Sequence, residues 1–384
     1  MSLAARLRSR VGSRLPHWHT TLETLVANNS WTFNRDGVLK EAALTTPHFL
    51  DCSLDFDSLE RVVPTDDNAE LRGEHVVLRR AARGHHEDAD KSCRIILVSH
   101  LDTVYPPDSV TPAFCSLAPI YPNSSIYTGP GSMDIKGGTV MMMAVLDAIH
   151  AVSPATYDAI DWTVLLNASE EILSADFSML AERELSSSAS PPAACLIFEA
   201  GACDENLDDQ TRSWRLVADR KGRATWSIEA KGAEAHAGND HRRGQNAIVS
   251  LSRAIMDIAD LTNYAKGLTF NVGTISGGTV LNTVPGHASC ELEMRARDVD
   301  VFESAIKTLE NLLASQHPDV VASSTQLQMP WPPNEGTDAL IEVCARAAAM
   351  LGAGHSVSAE SRGGLSDGNA LWHLCPTLDG LYNS

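Results

Sequence analysis

Short runs of Ile, Leu and Val, each stopping abruptly at polar residues, alternate with longer amphipathic stretches along the first half of the chain. Continuous apolar runs of this kind are typical of parallel strands that are buried on both faces of a sheet. The pattern predicts an α/β domain built on a central, mostly parallel sheet. Its predicted elements are helices over 4–28, 37–49 and 139–152, strands over 57–63, 74–80, 95–99, 162–168 and 194–198, and a loop over 83–92.

From about Lys221 the pattern changes to half-exposed strands and amphipathic helices in the order βαββαβ, which is that of a ferredoxin-like module. The predicted strands are 222–232, 268–276, 288–297 and 323–328, and the predicted helices are 244–261 and 301–315. A Pro-rich linker follows, and a helix over 338–351 then restores α/β character. We therefore predict a discontinuous catalytic domain over 1–219 and 331–384, with an inserted lid or dimerisation domain over 220–330.

The three apolar strands of the first half all end in ionisable residues. His100 ends the first strand, Glu170 and Glu171 follow the second, and Glu199 follows the third. Asp134 lies in a glycine-rich loop that leads directly into the apolar helix. Because open α/β sheets bind ligands outside the carboxyl ends of their strands, these side chains are predicted to form one site.

One imidazole and several carboxylates suit a hard or borderline cation such as zinc. Asp134 is the best-placed residue to bridge two metal ions. Glu170 and Glu171 are adjacent and cannot both point the same way in an extended chain, so one is expected to bind metal and the other to act as a general base. Asp102, two residues after His100, can accept the second imidazole N–H and fix the tautomer of the ring.

Composition limits the partners. The formal net charge of −19 argues against a nucleic-acid or an anionic-membrane partner. The eight cysteines are scattered without CxxC pairs, which is typical of reduced thiols in a cytoplasmic protein. The apolar stretches are shorter than a membrane span. The Arg-rich N-terminus is interpreted as an ordinary amphipathic helix rather than an organellar targeting segment.

With these residues in place, the sequence resembles the zinc-dependent peptidases and amidohydrolases that include glutamate carboxypeptidase, aminoacylase, succinyl-diaminopimelate desuccinylase and carnosinase. The motifs that carry the resemblance follow the family's order and cover almost the whole chain. They are Ser99-His-Leu-Asp-Thr103, Gly129-Pro-Gly-Ser-Met-Asp-Ile-Lys-Gly137, Asn167-Ala-Ser-Glu-Glu171, Phe198-Glu-Ala-Gly201, Gly232-Ala-Glu-Ala-His-Ala-Gly238, Asn282-Thr-Val-Pro285 with Arg295, and Gly363-Gly-Leu-Ser-Asp-Gly-Asn369.

The resemblance implies a role for each matching residue. His100, Asp134, Glu171 and Glu199 would bind two zinc ions per chain, with Asp134 bridging them. Glu170 would be the general base and Asp102 would orient His100. In a homodimer, His236 would reach the partner's active site, while Asn282 and Arg295 would bind substrate, Arg295 as a bidentate clamp for a carboxylate. Some family members have Asp at the position of Glu199. A Glu at this position resembles glutamate carboxypeptidase and the desuccinylase more than aminoacylase.

The resemblance is incomplete after Thr377-Leu-Asp-Gly380, where family members continue to a final His that completes the second metal site. The second site is therefore expected to be incomplete, and the chain is interpreted as a C-terminally truncated member. The predicted function is hydrolysis of an amide or peptide bond next to a free carboxylate, by metal-activated water and a Glu base, on a small-molecule or peptide substrate. Two alternatives remain: an N-acyl-amino-acid deacylase or dipeptidase, and a catalytically impaired binding module.

Overall fold

The strand Cys93–His100 (β3) lies inside a six-stranded sheet, between Ile160–Asn167 (β6) and Ala194–Ile197 (β7), and it is parallel to both. The computed structural model describes residues 1–51, 54–65, 68–83, 93–109, 116–120, 126–186, 191–206 and 211–382. Thr377–Leu378 (β17) extends the sheet in parallel beyond β7. On the other side, Ser58–Val62 (β1) and His75–Arg80 (β2) are antiparallel. The predicted α/β fold with a mostly parallel sheet is confirmed.

The continuous apolar pattern of β3 is explained by the two cores that the strand serves. Leu97 packs into the core on one face of the sheet, and Ile96 and Val98 pack into the core on the other face. Helices cover both faces of this sheet, which is why its central strands carry no polar face. The helices are Leu3–Val26 (α1), Arg35–Thr45 (α2), Pro47–Leu50 (α3), Gly137–Val152 (α4), Pro154–Asp158 (α5), Ala175–Ser186 (α6), Glu335–Ala349 (α9) and Gly368–Leu371 (α10).

Two sequence predictions in this region need correction or lie outside the description. The single helix predicted over 37–49 is two helices, because Pro47 has no N–H to continue the hydrogen bonding of α2 and instead begins α3. Most of the loop predicted over 83–92 falls outside the described residues. The segment Ser132–Val152, which contains α4, is long and apolar enough to cross a membrane, but 67% of its most apolar window is buried inside the protein.

The second unit comprises Asp219–Pro332 together with Ser361–Leu365, and the first comprises Met1–Ala218, Pro333–Glu360 and Ser366–Ser384. The prediction placed residues 361–365 in the catalytic domain. They belong to the second unit because the Arg220 guanidinium donates to the carbonyls of Gly364 and Leu365, and the Lys221 N–H donates to the Arg362 carbonyl. Ala118–Pro119 (β4) and Tyr127–Thr128 (β5) pair with each other within the first unit. Ala202–Asn206 (β8), Thr211–Arg220 (β9) and Ser356–Arg362 (β16) form a three-stranded sheet, and β9 and β16 each run across a boundary.

The second unit has the predicted βαββαβ order, and its four long strands form an antiparallel sheet. Their order in the sheet is Thr269–Gly277 (β12), His287–Ala296 (β14), Gly222–Lys231 (β10) and Val320–Gln328 (β15). One sheet face carries apolar residues such as Trp226 and Ile228, which share a core with the helices, and the other face is polar and half-exposed. The elements are Gly222–Lys231 (β10), Ala235–His236 (β11), Ala247–Ala259 (α7), Thr269–Gly277 (β12), Thr283–Val284 (β13), His287–Ala296 (β14), Val299–Gln316 (α8) and Val320–Gln328 (β15).

A buried histidine gives the first unit a defined pH dependence. His75 is fully buried at the start of β2, and its Nδ1 accepts a hydrogen bond from the Ala168 N–H at 3.0 Å. Burial lowers the pKa of His75 from its ordinary 6.5 to about 4. Between these two pH values the unfolded chain binds a proton that the folded chain does not, so stability is lost as the pH falls from 6.5 toward 4.

We expect His75→Asn, whose Oδ1 can still accept the Ala168 N–H, to remove this component of the pH dependence. The lost component is roughly 3 kcal/mol over the full interval. Urea unfolding of both proteins at pH 7 and at pH 4.5 measures it as a smaller drop in unfolding free energy for the variant. The same drop in both proteins would show that His75 is already charged in the folded state.

Candidate active site

Three strand ends deliver the predicted ionisable residues to one edge of the central sheet. His100 is the last residue of β3, and its register partner on β6 is Asn167, three residues before Glu170. The Phe198 N–H donates to the Val98 carbonyl at 3.0 Å, which brings the following Glu199 to the same edge. The side chains of both His100 and Glu199 are largely buried. The parallel register therefore places these residues together, as expected for the carboxyl ends of neighbouring strands.

The ring of His100 has a different environment at each nitrogen. Nδ1 lies 3.0 Å from the main-chain carbonyl oxygen of Asp102 and 3.4 Å from its Oδ1. Nε2 lies 2.9 Å from Oδ1 of Asp134 and 3.4 Å from Oε1 of Glu199. Because the carbonyl can only accept, Nδ1 carries the proton that it donates. Nε2 is therefore the nitrogen that can coordinate a cation shared with the two carboxylates.

The carboxylate of Asp102 does more than orient His100. Its Oδ2 accepts from Oγ1 of Thr32 at 2.7 Å and from the Glu171 N–H at 3.3 Å, and its Oδ1 accepts from the Glu170 N–H at 3.1 Å. The sequence predicted that this carboxylate orients the imidazole. In the structure the main-chain carbonyl of Asp102 is the nearer partner of His100, and the carboxylate fixes the backbone of the two glutamates.

Two glycines of the loop hold Asp134 opposite His100, one through its turn conformation and the other through a close approach of the main chain. Gly131 has φ +69°, a conformation that favours glycine, and it begins the turn before Asp134. A Cβ on Gly138 would lie 2.0 Å from the carbonyl oxygen of Phe198, so only glycine allows α4 to begin beside the strand end that carries Glu199. The Asp134–Ile135 peptide bond is cis. The side chain of Asp134 is 60% exposed, so its carboxylate is reachable from solvent.

The ionisable side chains fall into two groups that share His100. One group is His100, Asp134 and Glu171, and the other is His100, Glu170 and Glu199. Within each group the candidate ligand atoms lie within 4.8 Å of one another. An imidazole with surrounding carboxylates is a donor set that fits zinc. The structure thus brings every predicted metal ligand together, and it places Glu171 in one group and Glu170 in the other.

The electrostatics of the cluster favour a bound cation. Burial raises the pKa of Glu170 well above its ordinary range and raises that of Glu171 to about 8. Burial also raises the pKa of Glu199. Burial alone would lower the pKa of His100, but its contacts with Asp102, Asp134 and Glu199 outweigh that effect and raise it. Several buried acids around one imidazole are poorly compensated, and a divalent cation would supply the missing positive charge.

The predicted substrate residues His236 and Asn282 lie next to each other in the second unit. The short strands β11 and β13 pair His236 with Thr283, and the Ala237 N–H donates to the Asn282 carbonyl at 2.9 Å. Nδ1 of His236 accepts from two main-chain N–H groups, those of Gly238 and Asn239, each at 3.1 Å. Nδ1 is therefore unprotonated, and the exposed ring presents its Nε2–H as a donor.

The guanidinium of Arg295 is already bound within the second unit. Its Nε and Nη2 donate to the two carboxylate oxygens of Glu293, at 2.7 and 3.1 Å, and its Nη1 donates to the carbonyl of Gly363 at 2.7 Å. Arg295 thus makes the predicted bidentate contact with a carboxylate, but this carboxylate is the side chain of Glu293 and not that of a substrate.

Arg295 is also distant from the other two predicted substrate residues. It lies at the far end of β14, eight residues from His287, where the strand begins after the Asn282 turn. Eight residues of strand span roughly 26 Å, more than the length of an amino-acid derivative. One copy of the second unit therefore cannot place Arg295, His236 and Asn282 on the same small substrate.

Residues 219–321 match the family model described as Peptidase dimerisation domain. The chain is 28% identical over 292 residues to carboxypeptidase G2 of Pseudomonas sp. (strain RS-16), which covers 76% of this chain and 62% of that protein. The chain is thus similar to carboxypeptidase G2 over most of its length, and its second unit matches the dimerisation-domain model.

Solved structures of peptidases are similar to this chain in fold. An M20 family metallo-carboxypeptidase from Sulfolobus solfataricus superposes with a TM-score of 0.67 at 14% identity, covering 94% of this chain and 90% of that one. The dipeptidase Dug1p from Saccharomyces cerevisiae gives a TM-score of 0.68 at 11% identity, covering 100% and 91%. These likenesses show the α/β fold of the chain, and residues 219–321 match the dimerisation-domain model. The chain spans about three fifths of the length of the curated relatives it matches.

Two side chains beside the candidate site escaped the sequence prediction. Thr32, in the turn between α1 and α2, donates to Asp102 from a position 70 residues earlier in the chain. Asp367 is buried and accepts from Nδ2 of Asn167 at 2.8 Å, and burial raises its pKa to about 8. Asp367 stands inside a motif that the sequence resemblance used, so that motif was the available signal. Thr32 gave no such signal, because an isolated threonine in a turn is common.

A buried ammonium anchors the glycine loop. Lys136, two residues after Asp134, is 3% exposed, and its Nζ donates to the carbonyls of Leu25 and Asn28, each at 2.7 Å. It also lies 3.3 Å from Oε2 of Glu41, which in turn accepts from Nδ2 of Asn28 at 2.7 Å. All three N–H groups of the ammonium thus have an acceptor. The loop that carries Asp134 is tied to the end of α1 and to the middle of α2.

Proposed function

We propose that the protein is a metal-dependent hydrolase that cleaves an amide or peptide bond next to a free carboxylate. The observation that carries the proposal is the convergence of His100 with two pairs of carboxylates at one sheet edge. The match to a peptidase dimerisation domain supports hydrolysis, and the similarity to a carboxypeptidase supports a substrate with a free carboxylate. Zinc is the proposed metal, because the donor set combines an imidazole with carboxylate oxygens.

Bound zinc would polarise the scissile carbonyl and lower the pKa of a coordinated water. Nε2 of His100 and the carboxylates of Asp134, Glu171 and Glu199 would hold the metal. Glu170 is buried beside these ligands, and burial raises the pKa of its carboxyl, which makes the ionised form a stronger base. Glu170 would accept the proton from the attacking water and return it to the leaving amine. Asp102 keeps the glutamate loop in place through its hydrogen bonds to the backbone of both residues.

We infer that the working enzyme is a homodimer. The dimerisation-domain match supports this, and so does the separation of Arg295 from His236 and Asn282 along β14. His236 and Asn282 would then act on substrate bound by the partner copy, with the Nε2–H of His236 donating to the developing oxyanion. The unpaired thiols among the described cysteines support a reducing, cytoplasmic setting.

The proposal predicts that hydrolysis depends on both metal and a free carboxylate. An N-acyl-amino-acid should be cleaved by zinc-loaded protein, and its carboxamide counterpart should be cleaved at least a hundredfold less efficiently, since a charged ligand group is lost. Treatment with a chelator followed by dialysis should abolish turnover, and zinc should restore it. Turnover that survives complete metal removal, or equal cleavage of acid and amide, would contradict the proposal.

A further inference from the structure

The polar face of the four-stranded sheet carries a cluster of three charged side chains, those of Arg223, Glu293 and Arg295. Arg223 on β10 and Arg295 on β14 are direct register partners, and Glu293 lies two residues before Arg295 on the same face. Their chain neighbours Ala224 and Met294 point into the buried core instead. Two like charges placed directly opposite each other on a sheet repel, so the intervening carboxylate is what allows this pair.

Glu293 binds both arginines at once. It receives Nε and Nη2 of Arg295 on separate oxygens, and Nε of Arg223 lies 2.9 Å from its Oε2. The hydrogen bond from Arg295 and the nearby positive charges lower the pKa of Glu293, which therefore stays ionised. Two guanidinium groups and one carboxylate leave the cluster with a net charge of +1. Glu293 thus orders the arginines without neutralising the attraction for an anion.

The contacts of Arg295 leave part of its hydrogen-bonding capacity for a ligand. A guanidinium has five N–H groups, and three of those in Arg295 are committed, two to Glu293 and one to Gly363. Within the described parts of the chain, one N–H on Nη1 and one on Nη2 have no further acceptor. The side chain is 27% exposed, so a ligand carboxylate can reach these hydrogens.

We propose that Glu293 is a positioning residue, which holds the guanidinium of Arg295 in the orientation that binds the substrate carboxylate. The inference rests on the proposed function, because it assumes that Arg295 contacts that carboxylate. An unrestrained arginine must give up rotamer freedom when it binds an anion. Glu293 and Gly363 have already fixed the side chain before substrate arrives, so less freedom is lost on binding.

Glu293→Asp tests the inference because it keeps the charge but shortens the reach of the carboxylate, so that only the geometry of the pair changes. With the N-acyl-amino-acid we expect KM to rise about tenfold and kcat to stay within twofold. With the matching carboxamide, kcat/KM should not change, since that substrate has no carboxylate to bind. A purely structural role of Glu293 would affect both substrates alike.

Glu291→Asp is the matched control, because Glu291 is exposed on the same face of the same strand, two residues away. It should leave both substrates unchanged, and the thermal midpoints of both variants should equal that of the parent protein. Arg295→Ala should remove the preference for the acid. If it does so while Glu293→Asp keeps the parental KM, the positioning role is overturned and the proposed function stands. If the parent protein shows no preference for the acid, both are overturned.

Discussion

Glu170→Gln is expected to lower kcat by about a hundredfold to ten-thousandfold while the protein keeps its bound metal. Gln matches Glu in size but cannot take up a proton, so the variant loses the proposed general base and little else. The backbone of residue 170 should stay in place, because its N–H donates to Asp102 regardless of the side chain. Steady-state kinetics together with metal analysis of the same preparation measure the two properties.

Glu171→Gln is the matched comparison, and it separates two roles that the geometry leaves equivalent. Each glutamate lies in one of the two ligand groups around His100. If Glu171 binds metal as predicted, Glu171→Gln should reduce the metal content, whereas Glu170→Gln should not. A reversed result would exchange the assignments of the two residues. Parental activity in Glu170→Gln would exclude it as the base.

Lys136→Met is expected to lower the free energy of unfolding by about 3–5 kcal/mol, because it leaves a buried carboxyl without its cation. Glu41 is 2% exposed, and burial raises its pKa, an effect that the charge of Lys136 opposes. The substitution also leaves the carbonyls of Leu25 and Asn28 without the donor that they share. Urea denaturation of the metal-free proteins measures the loss.

A second variant distinguishes the broken ion pair from simple misfit of the new side chain. Glu41→Gln combined with Lys136→Met removes both charges and should recover part of the lost stability. Lys40→Met, at an exposed position of the same helix as Glu41, should change stability by less than about 0.5 kcal/mol. If the double variant is as unstable as the two single substitutions combined, the pair is not the source of the effect.

The architecture was readable from the sequence because its determinants are local. An apolar run that ends in His100, or in Glu170 and Glu171, carries both the strand and its functional end within a few neighbouring residues. The alternation of apolar and polar residues that begins near Lys221 likewise predicts the second unit and the order of its strands and helices. Patterns of this kind depend on strand and helix periodicity, which any single sequence displays.

The supporting contacts were not readable, because their partners are far apart in the chain and chemically ordinary. Glu41 lies inside an unremarkable helix, 95 residues from Lys136. The occupation of Arg295 by Glu293 is a short-range contact, but it depends on rotamers that the sequence does not specify. The break at Pro47 could have been predicted from its missing N–H alone.

The placement of β3 also determines how the site can be lost. The strand pairs with β6 as far as His100 itself and with β7 as far as Val98, and it packs on both faces. We therefore expect His100 to resist the partial unfolding that frays loops and edges. His236, in contrast, lies at an exposed two-residue pairing with β13, and we expect it to detach more readily than His100. The proposed metal site should thus be lost with the central sheet, whereas the proposed substrate contacts of His236 should be lost separately.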